Sequence, residues 1–81
     1  MDMQNLIHMA NQIGDFFETV PDHDESLLGI AGHIHNFWAP RMRTQLLDYV
    51  DTEQGRTLKP IVLEAIRAHR SILLPKNLSI I

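Results

Sequence analysis

The 81-residue chain contains no cysteine. That absence excludes disulfides, thiolate nucleophiles, cysteine-ligated zinc and ordinary iron–sulfur ligation together. It is compatible with a reducing cytoplasm and equally with export, since many exported proteins also lack cysteine. Positive charge is also scarce. Seven Lys and Arg stand against ten Asp and Glu, for a net charge of −3. A nucleic-acid domain normally carries the opposite excess, because neutralising phosphates supplies much of its affinity. No nucleic-acid partner is expected. Long apolar runs are missing too. The longest, such as Ile61-Val62-Leu63 and Ile72-Leu73-Leu74, have three residues, whereas a spanning helix needs about 20. The opening Met1-Asp2-Met3-Gln4-Asn5 has neither the basic nor the apolar region of a signal peptide. No membrane association is expected.

Motifs for chemistry are equally sparse. Ser26, Ser71 and Ser79 are the serines, and none sits in a G-x-S-x-G elbow. No glycine-rich phosphate loop and no H-E-x-x-H pair occurs. Five histidines are present, His8, His23, His33, His35 and His69. A helical zinc pair needs two ligands about one turn apart on one face. His33 and His35 are two residues apart and point to different sides of a helix. The acidic group Asp22, Asp24 and Glu25 stands beside a helix start, where capping accounts for it. No catalytic, cofactor or metal site is expected in this chain.

What is present has the balance of a globular domain, 44% hydrophobic and 21% charged. Surface scaling puts the folded area at roughly 5,000 Å² and the unfolded area at roughly 13,500 Å², so about 60–65% is buried. That suffices for one modest core. It leaves little stability to support a buried multi-residue active site. One domain over residues 1–81 is expected, with its core at about 3–74 and a tail at 75–81 that carries Leu78, Ile80 and Ile81.

Apolar side chains at Leu6, Met9, Ala10, Ile13, Phe16, Phe17 and Val20 follow the three–four step of an amphipathic helix, stopped by Pro21. Gly14 within it suggests close approach of another helix. A second stripe, Leu27, Leu28, Ile30, Ala31, Ile34, Phe37 and Trp38, follows Asp22 or Asp24 as cap. Gly29 and Gly32 thin one of its faces. Pro40 then imposes a corner, since it disfavours helical angles at Ala39 and suits the first turn of a new helix. The third helix is predicted from about Pro40 to Asp51. A polar loop with Gly55 follows. Thr57 is the expected cap of a fourth helix, which runs through Leu58, Ile61, Val62, Ala65, Ile66 and His69 to Leu73 before Pro75. No segment shows strand periodicity. The prediction is an all-α bundle of about four short helices.

The most unusual segment is Phe37-Trp38-Ala39-Pro40-Arg41-Met42-Arg43. Trp and Arg are the side chains most enriched at binding hot spots. Two arginines in a first helical turn oppose the helix dipole, which favours an external partner for them. The alternative is that Trp38 plugs the core and the arginines are solvated. Phe16 and Phe17 raise the same question. They lie about 100° apart on a helix, and a small bundle does not readily bury both.

Three ordered blocks resemble the delta subunit of NAD-dependent formate dehydrogenase. Met9-Ala10-Asn11-Gln12-Ile13 followed by Phe16-Phe17 is similar to that family's opening. His33-Ile34, Phe37-Trp38 and Pro40-Arg41-Met42-Arg43 resemble its central signature. Leu58-Lys59-Pro60-Ile61-Val62 with Glu64-Ala65 resembles its final helix. The likeness extends over about residues 5–70. It implies a non-catalytic accessory subunit of a soluble, cytoplasmic, multi-subunit complex that oxidises formate and reduces NAD. Its partners would be the larger subunits, which hold the molybdenum–pterin, the iron–sulfur clusters, FMN and NAD. The residues expected at the partner interface are Asn11, Gln12, Phe17, His33, Trp38, Arg41 and Arg43. A transient assembly or maturation factor for the same enzyme is the alternative. A helix-turn-helix regulator is a remote one, since Asp48 and Asp51 follow the arginines on the third helix. The isolated chain could pair with itself through an exposed apolar face.

Overall fold

A computed structural model describes residues 2–75. It contains five helices and, among the described residues, no strand. They are α1 (Met3–Phe17), α2 (His23–Phe37), α3 (Pro40–Glu53), α4 (Pro60–Ala68) and the single turn α5 (Arg70–Leu73). The all-α expectation holds, with α5 as an addition. The expected tail beyond Pro75 lies outside the described residues.

The local causes are legible in the caps. Asp2 begins α1 by accepting the Gln4 N–H at 3.2 Å. Asp22, rather than Asp24, caps α2 by accepting the Glu25 N–H at 3.1 Å. Between them, the buried Ser26 hydroxyl lies within 3.2 Å of the carbonyl oxygens of Phe17, Val20 and Asp22. It ties the α1–α2 turn down from inside. The α2–α3 corner is the predicted one. Trp38 and Ala39 are extended, and Pro40 opens α3 at its first position.

The fourth helix departs from expectation at both ends. Thr57 does not cap it. Its hydroxyl lies 2.6 Å from the Tyr49 hydroxyl and its N–H donates to the same oxygen. The helix starts at Pro60 with Lys59 as an N-cap that has no side-chain bond. At the other end the stripe breaks at His69 (φ −122°, ψ 33°), which turns Arg70–Leu73 into a separate helix. The preceding loop turns through Gln54 and Gly55, both at positive φ. Gly55 also lies where an added Cβ would meet the Leu63 side chain at 2.8 Å, so both its conformation and its space call for glycine.

Leu6, Ala10, Ile30, Ile34, Leu46, Val62, Ala65 and Ile66 form the fully buried centre. Helix α2 runs through the middle and packs most extensively on α4. Gly14 is the predicted close approach. A Cβ there would stand 2.6 Å from a Val62 methyl group, so α1 and α4 meet almost backbone to side chain. Gly29 has the same role between α2 and α1, covered by the Phe17 ring. Gly32 does not share it, because an added Cβ would meet nothing within 4 Å.

Candidate functional site

Helix α1 and the end of α2, with its C-cap Trp38, flank an open groove of about 430 Å³. Helix α1 contributes Met9, Gln12, Ile13, Phe16 and Phe17. The end of α2 and its corner contribute His33, Phe37 and Trp38. Its aromatic side chains hold one another. Phe16 and Phe17 meet edge to face with centroids 4.9 Å apart, and His33 lies against Phe37 at 4.7 Å. Such pairs add about 0.5–1.5 kcal/mol beyond burial. Even so, Phe16 is 64% exposed and Phe37 is 74% exposed, the two most exposed large apolar side chains among the described residues. A single-domain protein of this size rarely leaves two phenylalanines over one hollow without a use for them.

The expected interface residues divide into three groups. Gln12, Phe17, His33 and Trp38 do come together, as walls of this groove. Trp38 is only 5% exposed and belongs to the core. It forms the floor rather than a projecting anchor. Phe17 is half-buried over Gly29. The projecting rings are their sequence neighbours Phe16 and Phe37. The signal for Phe16 was the adjacent pair itself. Phe37 reads in sequence as part of the α2 stripe, seven residues after the buried Ile30 and at that stripe's edge.

Asn11 lies elsewhere. Its side-chain amide donates to the Thr57 carbonyl at 3.0 Å and accepts the Lys59 N–H at 2.8 Å. Both ends are engaged in holding the chain that leads into α4. Lys59 also reaches α1, with Nζ 2.8 Å from Asp15 and 3.1 Å from Glu18. The Asp15 bond, then the Glu18 bond, raises the ammonium above its ordinary pKa. These pairs are largely exposed and add little stability.

The two arginines separate. Arg41 is exposed and makes no ion pair among the described residues. Arg43 is 8% exposed, with Nη1 at 2.9 Å from His35 Nδ1 and Nε buried without a partner. The same His35 nitrogen lies 2.8 Å from the Ile72 carbonyl. A protonated Nδ1 donates to that carbonyl, and an unprotonated one accepts from the guanidinium, so only one bond forms at a time. Arg43 thus faces inward, between α2 and α5.

Among the described residues, no group of three or more His, Cys, Asp or Glu is placed to hold a metal ion. No helix among them is long and apolar enough to cross a membrane. His23 pairs with Glu64 on α4 at 3.0 Å, and that bond raises the imidazole above its ordinary value of 6.5. The pair is exposed and stands apart from the groove.

No curated protein and no solved structure gives a significant match to the chain. A family comparison does. Residues 5–66 match the family described as "NADH-dependant formate dehydrogenase delta subunit FdsD". That span includes α1 to α3, the corner, the groove and most of α4. The chain belongs to the formate dehydrogenase delta-subunit family.

Proposed function

We propose that this chain is a non-catalytic accessory subunit of a soluble, cytoplasmic, molybdenum-containing NAD-dependent formate dehydrogenase. It docks on the larger subunits and stabilises or assists their assembly. In this reading the molybdenum–pterin, iron–sulfur clusters, FMN and NAD belong to those subunits, and this chain holds none of them. Family membership supports the complex. The observation that carries a docking role is the groove with Phe16 and Phe37 at its surface. Burying one such ring contributes about 1.5–3 kcal/mol, so two of them suffice to anchor an interface.

The test is a pull-down of the tagged chain from its native host, followed by an assay of formate-dependent NAD reduction. The expected result is active enzyme with this chain in fixed stoichiometry. Capture of inactive subunits, with the chain absent from mature enzyme, makes it a transient maturation factor instead. A chain recovered without the larger subunits overturns the reading.

A further inference from the structure

We infer that the α1–α2 groove receives an apolar anchor from a larger formate dehydrogenase subunit, namely an aromatic or branched aliphatic side chain flanked by a carboxylate. The inference rests on the accessory-subunit reading and adds the surface and the chemistry of its occupant.

The shape comes first. A hollow of about 430 Å³ admits one or two large side chains, and its floor is the core residue Trp38. The rims are ordered as well. Phe16 is braced by Phe17, itself seated over Gly29, and Phe37 is braced by His33. Pre-set aromatic walls lower the ordering penalty that binding otherwise incurs.

Charge then selects the occupant. No acidic residue lines the groove. The nearby acids of α1, Asp15 and Glu18, are turned to Lys59. Arg41 stands three residues beyond Trp38, in the first turn of α3, exposed and unpaired among the described residues. A cation there opposes the helix dipole, and an external carboxylate relieves that penalty. The chain as a whole is acidic at −3, whereas the groove lining carries no carboxylate to repel an anion. A second copy fits worse. Two-fold pairing across the groove sets the same patch against itself, and its lining offers no carboxylate to Arg41 of either copy. A partner with an acidic flank satisfies both the rings and the arginine.

Trp38 is the only tryptophan, so 5-fluorotryptophan labelling gives a single fluorine signal at the groove floor. The purified larger subunits of the host enzyme are the probe. Adding them to the labelled chain is expected to shift that signal. Phe16→Ala with Phe37→Ala should keep the helical spectrum and lower capture of the larger subunits about tenfold or more. Arg41→Glu should lower it several-fold, most strongly at low salt. Leu28→Ala, an exposed apolar side chain outside the groove, should leave capture unchanged. If the double variant unfolds, Arg41→Glu and the fluorine shift decide the matter. Undiminished capture by folded groove variants overturns the inference and leaves the subunit reading standing. Failure of the wild-type chain to capture the larger subunits overturns both. Loss of self-association with capture intact makes a second copy the occupant. A Trp38 signal that moves when residues 76–81 are removed from the chain alone makes the chain's own end the occupant. Either result overturns the inference.

Discussion

Toward α4, helix α1 is closed by three devices. Gly14 admits a Val62 methyl group, Asn11 holds the backbone at Thr57 and Lys59, and Lys59 reaches back to Asp15 and Glu18. Toward the end of α2 the same helix presents Met9, Ile13 and Phe16 to an open groove, faced by an exposed Phe37. The closed flank satisfies polar atoms in pairs and, at Gly14, leaves no room for even a Cβ. The open flank gathers apolar surface and leaves it in water. The contrast separates residues that maintain the fold from residues available to a partner, although both sets fall within one run of 15 residues.

Gly14→Leu tests the closed flank most severely. The new side chain has no space beside Val62, Lys59 and Ile61, and a loss of about 3 kcal/mol is expected in urea unfolding. A variant of near wild-type stability would show the seam to be loose. Asn11→Ala should cost about 1–2 kcal/mol, because it strips the Thr57 carbonyl and the Lys59 N–H of their side-chain partner. Were Asn11 instead a partner contact, the isolated chain would unfold at an unchanged midpoint. Gly32→Ala reverses the sign. Its position is open, so a gain of about 0.5–1 kcal/mol is expected from helix propensity and chain entropy. A loss there would reveal a neighbour on the outer face of α2.

The smallest effect is a pH dependence away from both flanks. His23 has its folded pKa raised by Glu64. Its stabilisation is therefore present below the ordinary value of 6.5 and fades as pH rises through the folded value. Melting curves of wild type and His23→Ala should differ slightly near pH 5.5 and converge by about pH 8. A difference that persists at alkaline pH would mean that the ring matters through packing and not through charge.

The breaks at Pro21, Pro40 and Pro75, an aspartate cap at Asp22 or Asp24 and the close approach at Gly14 are legible because each follows from local backbone or steric rules; the structure chooses Asp22. Thr57 was misjudged because a residue eight positions earlier, Tyr49, competes for its hydroxyl, and no local rule sees that far. The break at His69 carries neither glycine nor proline to announce it. Which phenylalanine of the pair 16–17 faces outward depends on how α1 is rotated, and the space above Gly29 on another helix settles that. Arg43 carried a signal in its spacing, three, four and seven residues before the buried Leu46, Leu47 and Val50, which puts it on the inner face of α3. Its charge argued against that face, and the partner that receives it, His35, stands on another helix.

Every residue that lines the groove lies between Met9 and Trp38, whereas the helix that backs α2 most extensively begins at Pro60. During synthesis the groove's side chains therefore leave the ribosome well before the segment that fixes their spacing. A nascent chain of some forty residues would hold both walls of the groove on a hairpin still without α4, which packs on α1 and on α2 alike. The walls are therefore made first and supported later, so the order of synthesis runs from groove to scaffold.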